Sequence, residues 1–130
     1  MSNRTCISSG NPWEATAAYS RAVRVGNIIE VAGTTALEKN KVSGQGNMYN
    51  QTLFILQKKI SKVLQEAGGS LEHVIRTRIY LTDINLWEEA ARAHAEVFKD
   101  IRPVTTFVEV PRLIRPDLLV EIEATAVLPS

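Results

Sequence analysis

The apolar positions of this chain change period along its length. "YSRAVRV" (19–25) and "IIEVAGTTA" (28–36) alternate, are rich in β-branched residues and flank Gly26-Asn27, which predicts a hairpin closed by a tight turn. Alternation in the first run puts Tyr19, Arg21, Val23 and Val25 on one face, with Ser20, Ala22 and Arg24 on the other. Gly33 interrupts the second run, where a glycine marks a bulge or the close approach of a backbone or ligand. After the polar stretch "LEKNKVSGQG", the residues Leu53, Leu56, Ile60, Val63, Leu64 and Ala67 recur at helical spacing. Gln51, Lys58, Lys62 and Gln65 fall mainly on the opposite side, and Gly68-Gly69 offers a left-handed cap. "VIRTRIYL" (74–81) predicts a strand with Arg76, Arg78 and Tyr80 on one face and Ile75, Thr77, Ile79 and Leu81 on the other. A second helix is expected to start at Asn85, with Glu88 completing a capping-box pattern. Its apolar stripe is Trp87, Ala90, Ala91, His94, Val97 and Phe98. Pro103 then leads into two closing strands, "VTTFVEV" (104–110) and "LVEIEATAV" (119–127).

The predicted order is β-β-α-β-α-β-β, an α+β layer with both helices on one face of a sheet. One domain spanning 1–130 accommodates it. The second sheet face is left without cover. Thr105 and Phe107 share one side of their strand, and Glu121 and Glu123 share one side of theirs. Antiparallel pairing of these two strands would place both sides on that uncovered face, with Tyr19, Arg21 and Arg76. Such a mixed polar and aromatic surface fits an oligomer interface with polar groups gathered around a cleft.

Composition removes several function classes. Fifteen basic and fourteen acidic residues are interspersed and leave a net charge of +1, which gives no basic stripe for nucleic acid. The single Cys6 and two histidines supply neither a disulfide nor a Cys/His zinc site. No apolar run has the length of a membrane span, and "MSNRTCISSGNPWE" lacks the pattern of a signal peptide. The expectation is a cytoplasmic domain without metal or cofactor. His94, on a helix edge, is either a partnered structural histidine or a catalytic one.

"YSRAVRVGNIIEVAG", "VIRTRIYLTDINLW", "RPVTTFVEVPRL" and "VEIEATAV" resemble, in order and spacing, the Rid family, also called YjgF or endoribonuclease L-PSP-like proteins. The resemblance covers the chain from about Asn11 onward. It implies a chorismate-mutase-like fold, a homotrimer, and small-molecule clefts between subunits. Active members are deaminases of reactive imines and enamines. An arginine in the first closing strand holds the substrate carboxylate, and a glutamate in the last strand handles water. The matching residues are Tyr19, Gly33 and Glu121, with Trp87 as a cleft wall and Thr105, Thr106 and Phe107 as lining. The family pattern P-x-R-[ST] reads here Pro103-Val104-Thr105-Thr106, so Thr105 stands in the arginine's place. Ala91 stands where an amide is common, and "RLIRPDLL" is one residue longer than usual.

A hydroxyl supplies no charge and no two-pronged donor, and losing a charge-assisted bond of about 1.5–3 kcal/mol weakens carboxylate binding more than tenfold. Arg21 or Arg78 could serve as a replacement cation, or each could pair with Glu121 or Glu123 on the sheet. Two functions follow. One is hydrolysis of an imine or enamine other than the usual 2-imino acids, with Glu121 at the water. The other is a non-catalytic trimer that binds a metabolite. Ribonuclease chemistry ranks last, without a histidine pair or an aromatic platform for RNA.

Overall fold

The computed structural model describes residues 3–130; Met1 and Ser2, which open the segment read as lacking a signal peptide, lie outside the described residues. The strands are β1 (Arg4–Ile7), β2 (Ala22–Val25), β3 (Ile28–Thr34), β4 (Leu37–Glu38), β5 (Lys41–Val42), β6 (Val74–Leu81), β7 (Val104–Glu109) and β8 (Val120–Val127). The helices are α1 (Pro12–Ala17), α2 (Met48–Phe54), α3 (Ser61–Glu66) and α4 (Trp87–Phe98). A π-helical stretch, Ile55–Ile60, joins α2 to α3 without a break, so the single helix expected between Asn47 and Ala67 forms with its middle turns widened. Asn47 caps it, accepting from the Asn50 amide, and Gly68 leaves it at φ +93°.

The main sheet runs β1-β2-β3-β8-β6-β7, antiparallel throughout except for the parallel pair β6-β7. Alternation decides the layers. Along β8, Val120, Ile122, Ala124 and Ala126 are buried while Glu121, Glu123, Thr125 and Val127 are not. Ile29, Val31, Ile79 and Leu81 extend the buried side and pack against Ile55, Leu56, Ile60, Leu64, Ala90 and Phe98 of the helices. The other side of the sheet stays open, with Ile28, Val104 and Val108 exposed beside charged neighbours.

Several local expectations change. β1 and α1 form ahead of the predicted hairpin, where the expected order has no element, and α1 begins where Asn11 accepts from the Trp13 amide with Pro12 at the first turn. Asp83, not Asn85, makes the cap before the second main helix: it accepts from the Asn85 amide and starts a short 3₁₀ turn, Ile84–Leu86. Ile75 is exposed rather than in the core, because a bulge between Val74 and Arg76 resets the alternation. Gln51 is fully buried rather than on the polar side of its helix. Its amide donates to Gly44 O and Asp117 O, and its carbonyl accepts from the Leu119 amide at 2.9 Å, which ties the loop before β8 to the helix.

The closing strands do not pair with each other. β6 lies between them. Thr105 and Phe107 stand opposite Thr77 and Ile79 in the parallel register, on the helix side of the sheet. Glu121 stands opposite Tyr80, on the open side. The expectation that one chain gathers Thr105, Phe107 and Glu121 on one face is therefore wrong. The error has a local cause: alternation fixes the sides within a strand but not which strand lies beside it.

Candidate functional site

Two groups of candidate residues result, on opposite sheet faces and about two strand spacings, ~10 Å, apart. The first gathers around Gly33. Val31 pairs with Ala124 and Thr34 with Ile122, so β3 carries one residue more than β8 between these pairs. This bulge holds Gly33 under the Glu121 side chain. A Cβ at Gly33 would overlap the Glu121 carboxylate. The bulge reading of Gly33 applies, and what approaches it closely is the Glu121 side chain rather than a backbone or a ligand.

Glu121 sits deep enough for burial to raise its carboxyl above the usual carboxylate range, with the Arg21 charge pulling against this and Glu123 adding to it. Arg21 is not hydrogen-bonded to Glu121. Its ion pair is with Glu14, at 3.8 Å from Nε to Oε2. The Glu14 oxygens are already occupied. Ser8 Oγ donates to Oε1 at 2.9 Å, the Ser9 amide donates as well, and the Ser9 hydroxyl makes a close bond to Oε2. Burial works to raise the Glu14 carboxyl, but these bonds and then Arg21 leave it below its ordinary range. Arg21 Nε and Nη2 are thus shut from solvent without a hydrogen-bond acceptor among the described residues. Tyr19, which precedes β2 rather than lying in it, stacks near that guanidinium, 5.6 Å from ring centroid to Cζ. Arg78 pairs with Glu123 at 3.7 Å on the open face, and Tyr80 donates to the same carboxylate at 3.2 Å. Arg78 is accordingly engaged within the sheet.

Behind Arg21 lies a cavity of about 650 Å³ between the loop before α1, the β4-β5 ribbon and the π-helical stretch. Lys59 lines it and donates to Thr35 O and Leu37 O, both at 2.7 Å. Burial, helped by the Arg21 charge and opposed by Glu38, pulls Lys59 down to about 8. Nothing in the sequence patterning singled out Lys59. Lys59 lies within the π-helical stretch, and such turns recur at functional positions.

The second group lies between β7 and α4. Thr77 Oγ1 donates to Thr105 Oγ1 at 2.6 Å, and His94 Nε2 lies 2.9 Å from the same Thr77 oxygen. Burial holds His94 down to about 4, so the ring is neutral near pH 7. Phe107 meets Trp87 edge-on at 5.7 Å and His94 at 6.3 Å. Ala91, half-buried, keeps the space beside them small-walled rather than filled. Thr106 is on the other side of β7, opposite Arg78, away from Thr105. Among the described residues no cluster of His, Cys, Asp and Glu is placed to hold a metal ion, and no helix is long and apolar enough to cross a membrane.

Comparisons with known proteins agree with this architecture. The crystal structure of a Mycobacterium tuberculosis member of the YjgF/YER057c/UK114 family superposes with a TM-score of 0.87, at 47% identity over 96% of this chain and 99% of that one. The 3-aminoacrylate deaminase RutC of Acinetobacter baylyi is 36% identical over 85% of this chain and 86% of its own. A RutC family protein of Pyrococcus abyssi is 36% identical over 83% of this chain and 84% of its own. The family model described as endoribonuclease L-PSP matches residues 9–128. With nearly the whole chain matched and the same α+β layer formed, this protein belongs to the endoribonuclease L-PSP family, the Rid/YjgF proteins.

Proposed function

We propose that this chain assembles as a homotrimer with small-molecule clefts between subunits, and that it hydrolyses a reactive imine or enamine other than the usual 2-imino acids. The observation that carries this reading is the Glu121 carboxyl, lodged over Gly33, raised by burial and set near the Arg21 guanidinium, whose Nε and Nη2 lack hydrogen-bond acceptors among the described residues. A carboxylate with raised basicity suits proton transfer to and from water. Glu121 takes a proton from water as its oxygen adds to the C=N carbon. The proton then goes to nitrogen, and the proton of the new hydroxyl follows it as the carbonyl forms and ammonia leaves. The Glu121 group and the Thr105–Phe107 group lie on opposite faces, so only a second subunit can bring the two together. The named deaminase among the relatives supports enamine chemistry.

The test is ammonia release from 2-iminobutyrate and from 3-aminoacrylate generated in situ, with semicarbazide as the competing trap. We expect weak turnover of 2-iminobutyrate, since Thr105 offers no charge to its carboxylate, and loss of any turnover in Glu121→Gln with the assembly unchanged. Turnover of 2-iminobutyrate equal to that of an arginine-bearing relative overturns the assignment of Thr105. A second reading, a trimer that binds a metabolite without reacting with it, is favoured by Thr105 and Ala91 in place of charged and amide groups. Ligand binding to Glu121→Gln and wild type with no ammonia from any enamine supports that one.

A further inference from the structure

The hydrogen bonds beneath Thr105 form a chain through Thr77 to His94. Thr77 gives its only hydroxyl proton to Thr105, so its oxygen is free to accept from His94 Nε2, 2.9 Å away. With Thr77 as the donor to Thr105, a neutral His94 fits with its proton on Nε2, the tautomer that a neutral histidine side chain prefers intrinsically. Thr105 accepts from Thr77, so its own proton is left over. Thr105 is exposed, so that proton points toward whatever covers β7. Chained donors polarise one another, which strengthens the last one. Around it the wall is apolar and aromatic: Trp87 meets Phe107 edge-on at 5.7 Å, and the helix opposite carries Ala91 rather than a longer side chain. On this face no ion pair involves Thr105, Phe107, Trp87 or His94 among the described residues.

We propose that the β7–α4 face selects a neutral, planar ligand bearing a hydrogen-bond acceptor, such as an amide or uncharged imine, with Thr105 as the donor and Thr77 and His94 as positioning residues. The inference rests on the reading that this face walls the ligand cleft, and it replaces the carboxylate preference of an arginine at position 105 with a preference for the uncharged form.

The full chain in its native assembly is titrated with benzamide and with benzoate, a matched neutral and anionic pair, while the backbone amide signals of Thr105 and Phe107 are followed. Benzamide is expected to bind about five- to tenfold more tightly than benzoate, the ratio one polarised hydrogen bond supports. Thr105→Val, which keeps shape and strand propensity, should abolish that ratio; Thr105→Arg should reverse it. His94→Phe, which keeps a ring against Phe98 and Phe107 but donates nothing, should shrink it, and His94→Gln should restore it. Imidazole nitrogen spectra of the wild type should show a protonated Nε2 and a bare Nδ1. A protonated Nδ1, benzoate binding as well as benzamide, or unmoved Thr105 and Phe107 signals at millimolar benzamide each overturn the proposal. Ammonia release enters none of these readouts. A neutral-ligand preference without deamination would therefore sink the enzymatic reading alone, and deamination without the preference would sink this one alone.

Discussion

At Gly33 the φ angle lies outside the left-handed region, so the backbone does not demand a glycine; the Glu121 carboxylate above it does. In Gly33→Ala the new methyl displaces the end of a flexible side chain, and the lower entropy of the unfolded chain offsets part of that cost. We expect stability to change by less than about 1 kcal/mol while the Glu121 carboxyl returns toward its ordinary range. Chemical denaturation and carbon-detected titration of Glu121 measure the two effects separately, and an unshifted Glu121 titration would contradict the packing described. His94 makes a second prediction at this scale. Its folded pKa of about 4 lies below the ordinary value of 6.5 because burial opposes the charged ring. Between those values the unfolded chain binds more protons, so the stability present above pH 6.5 is lost as pH falls toward 4, by up to roughly 3 kcal/mol. Urea denaturation at pH 7 and pH 4.5 should show a smaller loss in His94→Gln than in the wild type.

Among the elements, the helix from Asn47 to Ala67 does more than cover the sheet. Its Gln51 amide adds a bond to the turn at Gly44 and supplies the partners for the loop entering β8, and so fixes where Val120 and Glu121 begin. Gln51→Leu fills the same volume but leaves the Leu119 amide and the Asp117 carbonyl without partners. The expected loss is about 2–4 kcal/mol, several times that of an exposed substitution, since buried polar groups without partners are costly. The denaturation midpoint of that variant against Gln57→Leu, on an exposed turn of the same helix, gives the comparison. Arg24 closes the other end: its Nη1 donates to Ala67 O at 2.7 Å and its Nε to Gly26 O at 2.9 Å, joining the hairpin turn to the last helical turn.

For the whole molecule, the sheet's open side poses the decisive question. Val104 and Val108 remain exposed at 56% and 42% beside Arg76 and Tyr80, and Ile28 at 46% opposite Val127, a surface more apolar than a solvated sheet face needs. We expect sedimentation equilibrium to give a mass near three chains of 14.4 kDa, and Val108→Lys to shift it toward smaller species. A stable monomer of the wild type would remove the intersubunit cleft and with it the only way for Glu121 to meet Thr105. The helix-facing side of each subunit should fold alike in either case, because its core does not involve Val108.

Period and punctuation made much of this fold readable in the chain itself. Strict alternation in "VEIEATAV", the helical spacing of Leu56, Ile60, Val63 and Leu64, and Gly26-Asn27 at the hairpin depend on near neighbours, and each gives its element, the helix with its middle turns widened. The motifs likewise carried the family and the unusual Thr105. Short elements with weak patterns, β1 and α1, and the cap at Asp83 depend on single side-chain bonds that competed with equal local alternatives. Strand order was a matter for the tertiary structure. Inserting β6 between β7 and β8 sent Thr105 and Phe107 to the helix side and left Glu121 on the open side. The partner of Arg21 was decided the same way, by α1 delivering Glu14, as was the burial of Gln51. Sequence determines which side of its own strand a residue occupies, because that follows from the pleat; which strand lies alongside follows from packing the entire core.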